Sequence, residues 1–404
     1  MTVTEHQDQM QAESQQAYLP WLLQPVSTAE FRREYWDEQS LLIERGDPGY
    51  YADLLTLDDV DQLLSTAGDT GMVRVVSDTA PATSLTDLSS RARLAVLYER
   101  FRGGASITID HAEQRYEPLR KLAYRLGAEM SAWINVSIYL TPPGGSSAHA
   151  VHYDAVDAFI LQAHGAKQWM FFGRPYPHPL TRQYSPAYPA GAEPEQELVL
   201  RAGDLFYMPR GTIHRARPVG DSPSVHIVVG IHPQLYADVL ADAVQRAALE
   251  DGRLRQALPL GWTTDPGLRE EITGKLAELT AELARKLSPP RMLAEATRRV
   301  VSNGAVPLRY YLLDLEHLGE VGPGTPVRTR PGQLHSLMVV GDTVVLYFSG
   351  REARFRATAE PAVRYIATSG NEWLTAAGLP GDLSEANRLH LIKTLISEGF
   401  LTFH

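Results

Sequence analysis

His152 and Asp154 stand two positions apart in a segment, residues 151–162, that is rich in strand-forming residues. Side chains two apart on a strand point to the same face, so this imidazole and this carboxylate can take adjacent positions on one metal ion. A second histidine from a neighbouring strand would complete a triad of two histidines and one carboxylate, which leaves three coordination positions open and suits non-haem Fe(II). In a chain with 13 histidines the spacing alone is weak evidence.

A second segment, from Gly203 to His214, supplies that histidine. It begins with a hairpin signal, continues as the short apolar strand 205–208, and turns at Pro209 and Gly211, which returns His214 to the interior. The alternative is that both histidines are core residues with satisfied hydrogen bonds, but this leaves both spacings unexplained. The two segments together therefore predict a metal site on a β-barrel.

Lys167 is a lone cation beside the apolar run Trp169–Phe172. If its side chain points into the barrel, the buried charge needs an anionic partner, and a dicarboxylate co-substrate would supply one. The alternative is a lysine on the outer face of the barrel, whose aliphatic stem lies over Trp169 while the ammonium group stays in water. If Lys167 does not bind the co-substrate, Arg210 and Arg215 are the next candidate cations.

Three stretches of the chain resemble the JmjC-type cupins, and within them the ribosomal-oxygenase-like branch of the 2-oxoglutarate-dependent oxygenases. They are NVSIYLTPP from Asn135, HYDAVDAFILQAHGAKQW from His152 and GDLFYMPRGTIH from Gly203. The similarity extends more weakly to residues 21–48 and to a helical and winged-helix tail. It therefore covers most of the chain that follows the polar N-terminus.

This resemblance implies an α+β fold in which flanking helices surround a double-stranded β-helix, the cupin or jelly-roll barrel of the JmjC proteins. It implies three iron ligands, which are His152, Asp154 and His214. It also implies that Lys167 binds the distal carboxylate of 2-oxoglutarate, and that Tyr139 and Thr141 line the co-substrate pocket.

The chain departs from the family pattern at several positions. Ser137 and Ile138 stand where a single residue is expected before the Tyr-Leu-Thr-Pro-Pro run, and His149 is an additional histidine. His149 is either a substrate-pocket residue or an alternative ligand. His164 is predicted to lie in a loop, in either of two orientations.

The composition predicts a soluble globular protein of two or three domains, with 404 residues of which 44% are hydrophobic and 21% charged. The formal net charge of −10 opposes a general attraction to nucleic acid or to an anionic membrane, because phosphate binding needs clustered cations. The absence of cysteine excludes disulfides and thiolate chemistry. Residues 1–17 are polar and glutamine-rich, so we expect disorder there, no signal peptide, no membrane span and a cytoplasmic location.

The catalytic domain is predicted to span residues 18–233. Ser27 and Glu30 have the spacing of a capping box, which predicts the start of a helix. Helices are predicted over residues 29–36, 57–64 and 119–130. These elements are expected to brace the barrel from outside.

Residues 234–303 form a predicted helical region, rich in Ala, Leu, Glu and Arg with helical spacing. One face carries an apolar stripe, composed of Ile272, Leu276, Leu279, Leu283 and Leu287. This stripe is too long to serve only one small barrel. It packs either on the tail domain or against a second copy of the chain, and the family resemblance favours a homodimer.

The last domain, residues 304–404, is predicted to be winged-helix-like, with a hairpin about Gly341 and Asp342 and a terminal helix over residues 384–398. A winged helix suggests DNA binding, but this helix carries only two cations, which two glutamates oppose. We therefore expect this domain to act as a scaffold or to dock a partner.

These observations predict an Fe(II)- and 2-oxoglutarate-dependent oxygenase that hydroxylates an amino-acid side chain of a protein or peptide and releases succinate and CO2. A free amino acid or a biosynthetic intermediate is the alternative substrate. Two other classes remain open. Lys167 argues against a cupin metalloenzyme that does not use 2-oxoglutarate, and the complete triad argues against a non-catalytic binding cupin. The fold by itself does not decide the substrate.

Overall fold

The computed structural model describes residues 17–66, 72–76, 90–145, 150–183, 193–303, 308–370 and 372–404. The chain divides into two compact units, residues 1–233 and 234–404, and each unit has an apolar core of its own. The segment predicted to be disordered, residues 1–17, lies outside the described residues except for its last position. Among the helices of the described ranges, none combines the length and the apolar character needed to cross a membrane.

The first unit is built on two antiparallel sheets. Its strands are β1 Leu41–Ile43, β2 Val73–Val76, β3 Ser106–Ile109, β4 Trp133–Thr141, β5 Asp157–His164, β6 Ala166–Phe171, β7 Gln196–Arg201, β8 Leu205–Met208, β9 His214–Val219 and β10 Ser224–His232. A seven-stranded sheet has the strand order β1-β8-β5-β10-β4-β3-β2, and a three-stranded sheet has the order β7-β6-β9. Together they form the predicted cupin-type fold.

Side chains of the large sheet alternate between two apolar layers, as the two-residue period of a strand requires. Phe159 and Leu161 of β5 belong to the large core that the helices cover. Ile160 instead packs with Trp169 and Phe206 in a smaller core between the two sheets. Because β5 is covered on both faces, its sequence reads as a continuous apolar run.

The helices of the first unit contribute to the large core. They are α1 Tyr18–Leu23, α2 Thr28–Glu30, α3 Leu57–Thr66, α4 Ser90–Arg102 and α5 Glu117–Met130, with 3-10 turns at Ala112–Gln114 and Thr181–Gln183. The predicted helix start is confirmed, since Ser27 Oγ accepts a hydrogen bond from the N–H of Glu30 at 3.1 Å. The helix continues as a π-helical turn over Phe31–Tyr35, which ends the regular helix earlier than predicted and buries Phe31.

The turn between β7 and β8 requires glycine. Gly203 has φ +95°, and a Cβ there would stand 2.0 Å from the carbonyl oxygen of Asp47. Asp204 holds the turn, because its carboxylate accepts hydrogen bonds from the backbone N–H groups of Arg45 and Arg201. The predicted turn is confirmed at this position, but the predicted hairpin is wrong, because β7 and β8 belong to different sheets and the turn carries the chain from one sheet to the other.

The second unit combines helices with two small sheets. Its helices are α6 Tyr236–Glu250, α7 Pro266–Lys286, α8 Pro289–Asn303, α9 Tyr311–Glu316, α10 Glu360–Thr368 and α11 Glu385–Ser397, with 3-10 turns at Gly252–Arg255, Leu318–Glu320 and Ala357–Ala359. Its strands are β11 Arg328–Thr329, β12 His335–Val340, β13 Thr343–Phe348, β14 Arg351–Arg356 and β15 Leu401–Thr402. Strands β12, β13 and β14 form one antiparallel sheet in that order, and β11 pairs with β15.

Two predictions for the second unit can be compared with the structure directly. The hairpin about Gly341 is confirmed, because Val340 of β12 pairs with Thr343 of β13. The helical character of the region after Pro233 is confirmed as well. Helix α7, which carries the apolar stripe, has no fully buried side chain, and Leu276 in the middle of the stripe is 53% exposed.

Candidate metal centre

Three candidate metal ligands converge at the mouth of the space between the two sheets of the first unit. His152, Asp154 and His214 each offer one ligand atom, and these atoms lie within 4.8 Å of one another. Asp154 is central, because its Oδ1 lies 3.8 Å from His152 Nε2 and its Oδ2 lies 3.8 Å from His214 Nε2. His214 is buried, whereas the other two residues are only partly covered. The group can therefore be reached from one side.

His152 and Asp154 do not lie on a regular strand, so this part of the sequence prediction is wrong. Strand β5 begins only at Asp157. His152 instead forms a single antiparallel bridge with His214, with N–H to O distances of 3.2 Å and 2.8 Å in the two directions. The carbonyl oxygen of Asp154 accepts a hydrogen bond from the N–H of Gly211 at 2.8 Å. The segment before β5 thus pairs with the turn that carries the second histidine, and strand periodicity does not apply to it.

Both imidazoles are oriented by backbone carbonyl groups. His152 Nδ1 lies 2.8 Å from the carbonyl oxygen of Ala150, and His214 Nδ1 lies 3.0 Å from that of Thr212. Each Nδ1–H therefore donates to a carbonyl, which leaves the Nε2 lone pair directed toward Asp154. Burial, together with the nearby charge of His152, lowers the pKa of His214 to about 4. This imidazole is neutral at neutral pH, as metal binding requires.

A buried network of charges supports the turn that carries His214. The carboxylate of Asp157 accepts hydrogen bonds from Tyr207 Oη at 3.1 Å and from the backbone N–H of Arg210 at 3.2 Å. The guanidinium of Arg210 lies 3.6 Å from Asp157 and 2.9 Å from Asp37. Burial raises the pKa of Asp157, and the charge of Arg210 opposes this rise. Arg210 is thus engaged with two carboxylates and is not the alternative pocket cation.

A cavity of about 230 Å³ lies beside the three candidate ligands, between the two sheets. Its wall includes Tyr139 of β4, Lys167 and Trp169 of β6, and His226 of β10. The predicted metal ligands and the predicted co-substrate lysine therefore share one enclosed space. A small molecule that reaches the metal position lies in the same cavity as this cation.

Lys167 points into the cavity, which excludes the alternative of an outward-facing lysine. Its side chain is 2% exposed, and its Nζ donates a hydrogen bond to Thr141 Oγ1 at 3.1 Å. Thr141 Oγ1 also accepts a hydrogen bond from Ser106 Oγ at 3.1 Å. Within the described ranges no carboxylate lies at ion-pair distance from Nζ, and burial lowers the pKa of Lys167 to about 7. A buried cation without a protein anion predicts an anionic ligand.

Tyr139 lies two residues before Thr141 on the same face of β4. Tyr139 lines the cavity, and Thr141 contacts it through Lys167. The Tyr139 ring stacks on His226 with the centroids 4.9 Å apart and the planes 9° apart, and His226 meets Trp169 edge-on at 5.5 Å. Sequence reasoning missed His226 as a site residue. It lies opposite Tyr139 in the register of β10 and β4, so the alternation along SVHIVVGIH is the signal that would have found it.

The remaining candidates have different outcomes. His149 lies outside the described residues. The prediction that His164 lies in a loop is wrong. His164 is the last residue of β5, because pairing with Val225 of β10 continues to that position. Arg215 does line the cavity, and so does Arg74 of β2, for which the sequence carried no signal.

Comparisons with known proteins agree with this fold and site. Residues 111–239 match the family model of the JmjC domain, and residues 194–285 match that of the AraC-like ligand binding domain. Ribosomal oxygenase 1 of Gallus gallus is 34% identical over 251 residues, which are 59% of this chain and 41% of that protein. The bifunctional lysine-specific demethylase and histidyl-hydroxylase NO66 of Drosophila mojavensis is 28% identical over 287 residues, 67% of this chain and 32% of that protein. The chain thus spans less than half the length of these two relatives.

A solved structure of YcfD, a ribosomal oxygenase from Escherichia coli, in complex with cobalt and 2-oxoglutarate has a TM-score of 0.52 and 18% sequence identity. The similarity covers 94% of this chain and 98% of that chain. At this level of identity the likeness concerns the fold.

The chain thus contains a segment that matches the JmjC domain, and its fold is that of a cupin. It is similar to ribosomal oxygenases, so the resemblance found in its motifs is confirmed.

Replacing Asp154 by alanine tests the assignment of the metal site. The variant loses one ligand and the negative charge that faces the metal, so we expect metal affinity to fall by more than about 100-fold. Calorimetric titration with Co(II) would measure this loss. His164→Ala is the matched control and keeps full affinity, because His164 does not line the cavity. Unchanged affinity in Asp154→Ala would place the metal elsewhere.

Proposed function

We propose that this protein is an Fe(II)- and 2-oxoglutarate-dependent oxygenase that hydroxylates an amino-acid side chain of a protein or peptide. The observation that carries the proposal is the buried cation of Lys167 in the same cavity as the candidate metal ligands. A 2-oxo acid with a second carboxylate joins these two features in one molecule. The names of the relatives, ribosomal oxygenase and histidyl-hydroxylase, and the cobalt and 2-oxoglutarate bound to YcfD support it.

Each part of the site has a role in this proposal. The metal is held by His152, Asp154 and His214. This set of two imidazoles and one carboxylate leaves three positions open and suits Fe(II). The charged Lys167 neutralises the distal carboxylate of 2-oxoglutarate, and Thr141 and Tyr139 complete that end of the pocket. Protonation of the ligands competes with the metal, so activity falls in acid.

When bound, Fe(II) and 2-oxoglutarate supply the oxidising chemistry, in which one atom of O2 enters succinate, the other enters the substrate as a hydroxyl group, and CO2 is lost. The chain's own contribution is to position the reactants and to exclude water. The side chains of Ile160, Trp169 and Met208 make part of the cavity wall apolar. Such a wall limits oxidation in the absence of substrate.

Two other classes are distinguished from this proposal by binding. A cupin metalloenzyme that does not use 2-oxoglutarate would bind metal but would not bind 2-oxoglutarate through Lys167. A non-catalytic cupin would bind a ligand without turnover. The complete set of candidate ligands and the buried cation together favour the oxygenase.

Succinate release is the direct test of the proposed function. We expect Fe(II)-loaded protein to release succinate from 2-oxoglutarate, and a peptide substrate to accelerate the release and to gain one oxygen atom by mass spectrometry. The panel contains histidine peptides from ribosomal proteins, matched peptides with alanine in place of histidine, and free histidine. If only the free amino acid were hydroxylated, we would conclude that the substrate is a free amino acid and not a peptide. No binding of 2-oxoglutarate at all would favour a different cupin enzyme.

Lys167→Ala tests the co-substrate assignment. The variant leaves the distal carboxylate of 2-oxoglutarate without its charged partner, which should cost about 3 kcal/mol, or a roughly 100-fold loss in affinity. Metal affinity stays unchanged, since Lys167 is not a ligand. Titration of 2-oxoglutarate into the anaerobic Fe(II)-loaded protein would measure both. Lys275→Ala, which removes an exposed lysine of α7, is the control. If Lys167→Ala bound 2-oxoglutarate as tightly as the parent, the carboxylate anchor would lie elsewhere.

The same titration at different pH values separates a charge effect from lost packing. Without ligand the pKa of Lys167 is about 7, and a bound dianion favours the charged form. Affinity is therefore highest below this pKa and falls as the pH rises above it, because binding must then take up a proton. Lys167→Ala should show no such fall.

We infer that the helical region, residues 234–303, forms a homodimer interface. Large apolar side chains stay exposed on α6, α7 and α8, namely Leu240, Val244, Leu249, Leu276 and Leu293. Exposed apolar surface of this extent is a common mark of an interaction site. The paired charges around it, such as Arg253 with Glu282, keep the rest of the region hydrated.

Sedimentation velocity at micromolar concentration is expected to show a dimer. Leu276→Glu places a charge in the apolar stripe and should shift the equilibrium toward monomer. Leu312→Glu changes an even more exposed apolar side chain of α9, outside the region, and should leave the dimer intact. A parent protein that stays monomeric at every concentration would refute the interface.

We also propose that residues 18–233 form the catalytic domain, that residues 304–404 form a winged-helix-like domain that docks a partner, and that the protein acts in the cytoplasm. The two cations of α11 support docking over DNA binding. Arg388 donates hydrogen bonds to two backbone carbonyl groups, and Lys393 donates to a third at 3.4 Å. Neither presents an open charge to phosphate.

A further inference from the structure

Arg328 is a buried cation in the second unit, far in sequence from the proposed oxygenase site. It lies on the two-residue strand β11 and is 6% exposed. Its guanidinium lies over the ring of Trp373, 4.6 Å from the centroid. The backbone bridge between Val327 and Leu374 holds these two side chains next to each other. This arrangement is held by one backbone bridge, with hydrogen bonds of 2.8 Å in both directions.

No anion of the described chain neutralises Arg328. Its Nε is shielded from solvent and has no hydrogen-bond partner, and in the ranges that the structure describes no carboxylate lies at ion-pair distance from the guanidinium. Burial lowers its pKa from the ordinary value, with no carboxyl group acting to raise it. The interaction with Trp373 offsets only part of the desolvation of a charged group.

Arg330, two positions further along, also has a buried Nε without a hydrogen-bond partner, but its charge is paired. Its guanidinium forms a buried ion pair with Asp314 and donates to the carbonyl oxygen of Arg309. The other oxygen of Asp314 accepts from Thr402 Oγ1 at 3.1 Å and lies 3.0 Å from His404 Nδ1. Asp314 is therefore fully engaged. Among the described residues, Arg328 has no carboxylate at ion-pair distance.

We propose that Arg328 and Trp373 form a binding site for a carboxylate carried by an acidic peptide. The planar guanidinium matches a carboxylate in geometry, and a single unpaired cation balances a single negative charge. Trp373 is 46% exposed, so it offers an apolar surface beside the carboxylate for a neighbouring side chain of the peptide. The site goes beyond the proposed oxygenase activity and gives the predicted partner-docking domain a specific contact.

The charge count favours an acidic peptide over nucleic acid. Binding along a phosphate backbone needs several cations in a row, whereas the neighbouring Arg330 is already paired with Asp314. A peptide that carries one carboxylate next to an apolar side chain can contact both the guanidinium of Arg328 and the exposed ring of Trp373.

The test uses the full chain labelled with ¹⁵N and observes the arginine Nε–Hε signals by NMR. The signal that disappears in Arg328→Gln is that of Arg328. We expect this signal to shift saturably with the peptide acetyl-Ala-Leu-Glu-Leu-Ala-amide, and not with the counterpart that carries glutamine in place of glutamate. Acetate alone should bind about tenfold more weakly, because it lacks the leucine side chains that pack on the indole.

Two variants separate binding from folding. Trp373→Ala should weaken the glutamate peptide about tenfold while leaving the affinity for acetate nearly unchanged. Arg354→Gln removes an exposed arginine of β14 that pairs with Glu352, and it should change neither affinity. Arg328→Gln should keep or raise the melting temperature, because it removes an unpaired buried charge, whereas Arg330→Gln should lower it.

Three results would overturn the proposal. The first is that the Arg328 signal does not respond to the glutamate peptide or responds equally to the glutamine counterpart. The second is that inorganic phosphate or a single-stranded RNA oligonucleotide binds more tightly than the peptide. The third is a melting temperature for Arg328→Gln as low as that of Arg330→Gln, which would give Arg328 a purely structural role. None of these measurements involves metal or 2-oxoglutarate, so their outcome is independent of the oxygenase proposal.

Discussion

The geometry of the candidate metal ligands depends on one antiparallel backbone pair, that of His152 and His214. Two hydrogen bonds between their N–H and carbonyl groups bring a segment that precedes β5 against the turn that follows β8. Asp154 joins the same pair through its own carbonyl oxygen. Because His152 and His214 are 62 positions apart in the chain, the large sheet and its two apolar layers serve to place them side by side. The ligand set exists only where this pairing exists.

Buried charges in the first unit divide into two kinds. Asp157 and Arg210 neutralise each other beneath the turn that carries His214, and Tyr207 donates a hydrogen bond to Asp157. These charges therefore stabilise the turn. Lys167 is equally buried, but within the described part of the chain its partner is a hydroxyl group, that of Thr141. The energetic difference between the two kinds is large, since an unpaired charge in an apolar cavity is costly without a ligand. This difference is the reason for proposing that Lys167 binds an anion.

Local signals in the sequence predicted the elements around the site well. The glycine turn at Gly203, the cap at Ser27 and the hairpin at Gly341 all lie where turn chemistry and capping spacing indicate. Helix α5 and strand β4 agree with the spacing of the apolar residues along the chain. Such signals act over a few residues and are therefore readable from the chain alone. The π-helical turn after Glu30 was not predicted, because its wider turn reflects packing on the core rather than a local preference.

By itself, the sequence determined the types and order of the chemical groups, namely two histidines and an aspartate that can bind a metal and a lysine that can bind an acid. Only the tertiary structure decided which way Lys167 points, that His226 shares its cavity, and that Arg328 has no anion while Arg330 has one. The physical reason is that burial and pairing are properties of neighbours in space. Those neighbours are brought together by the register of distant strands, and no local pattern in the chain records that register.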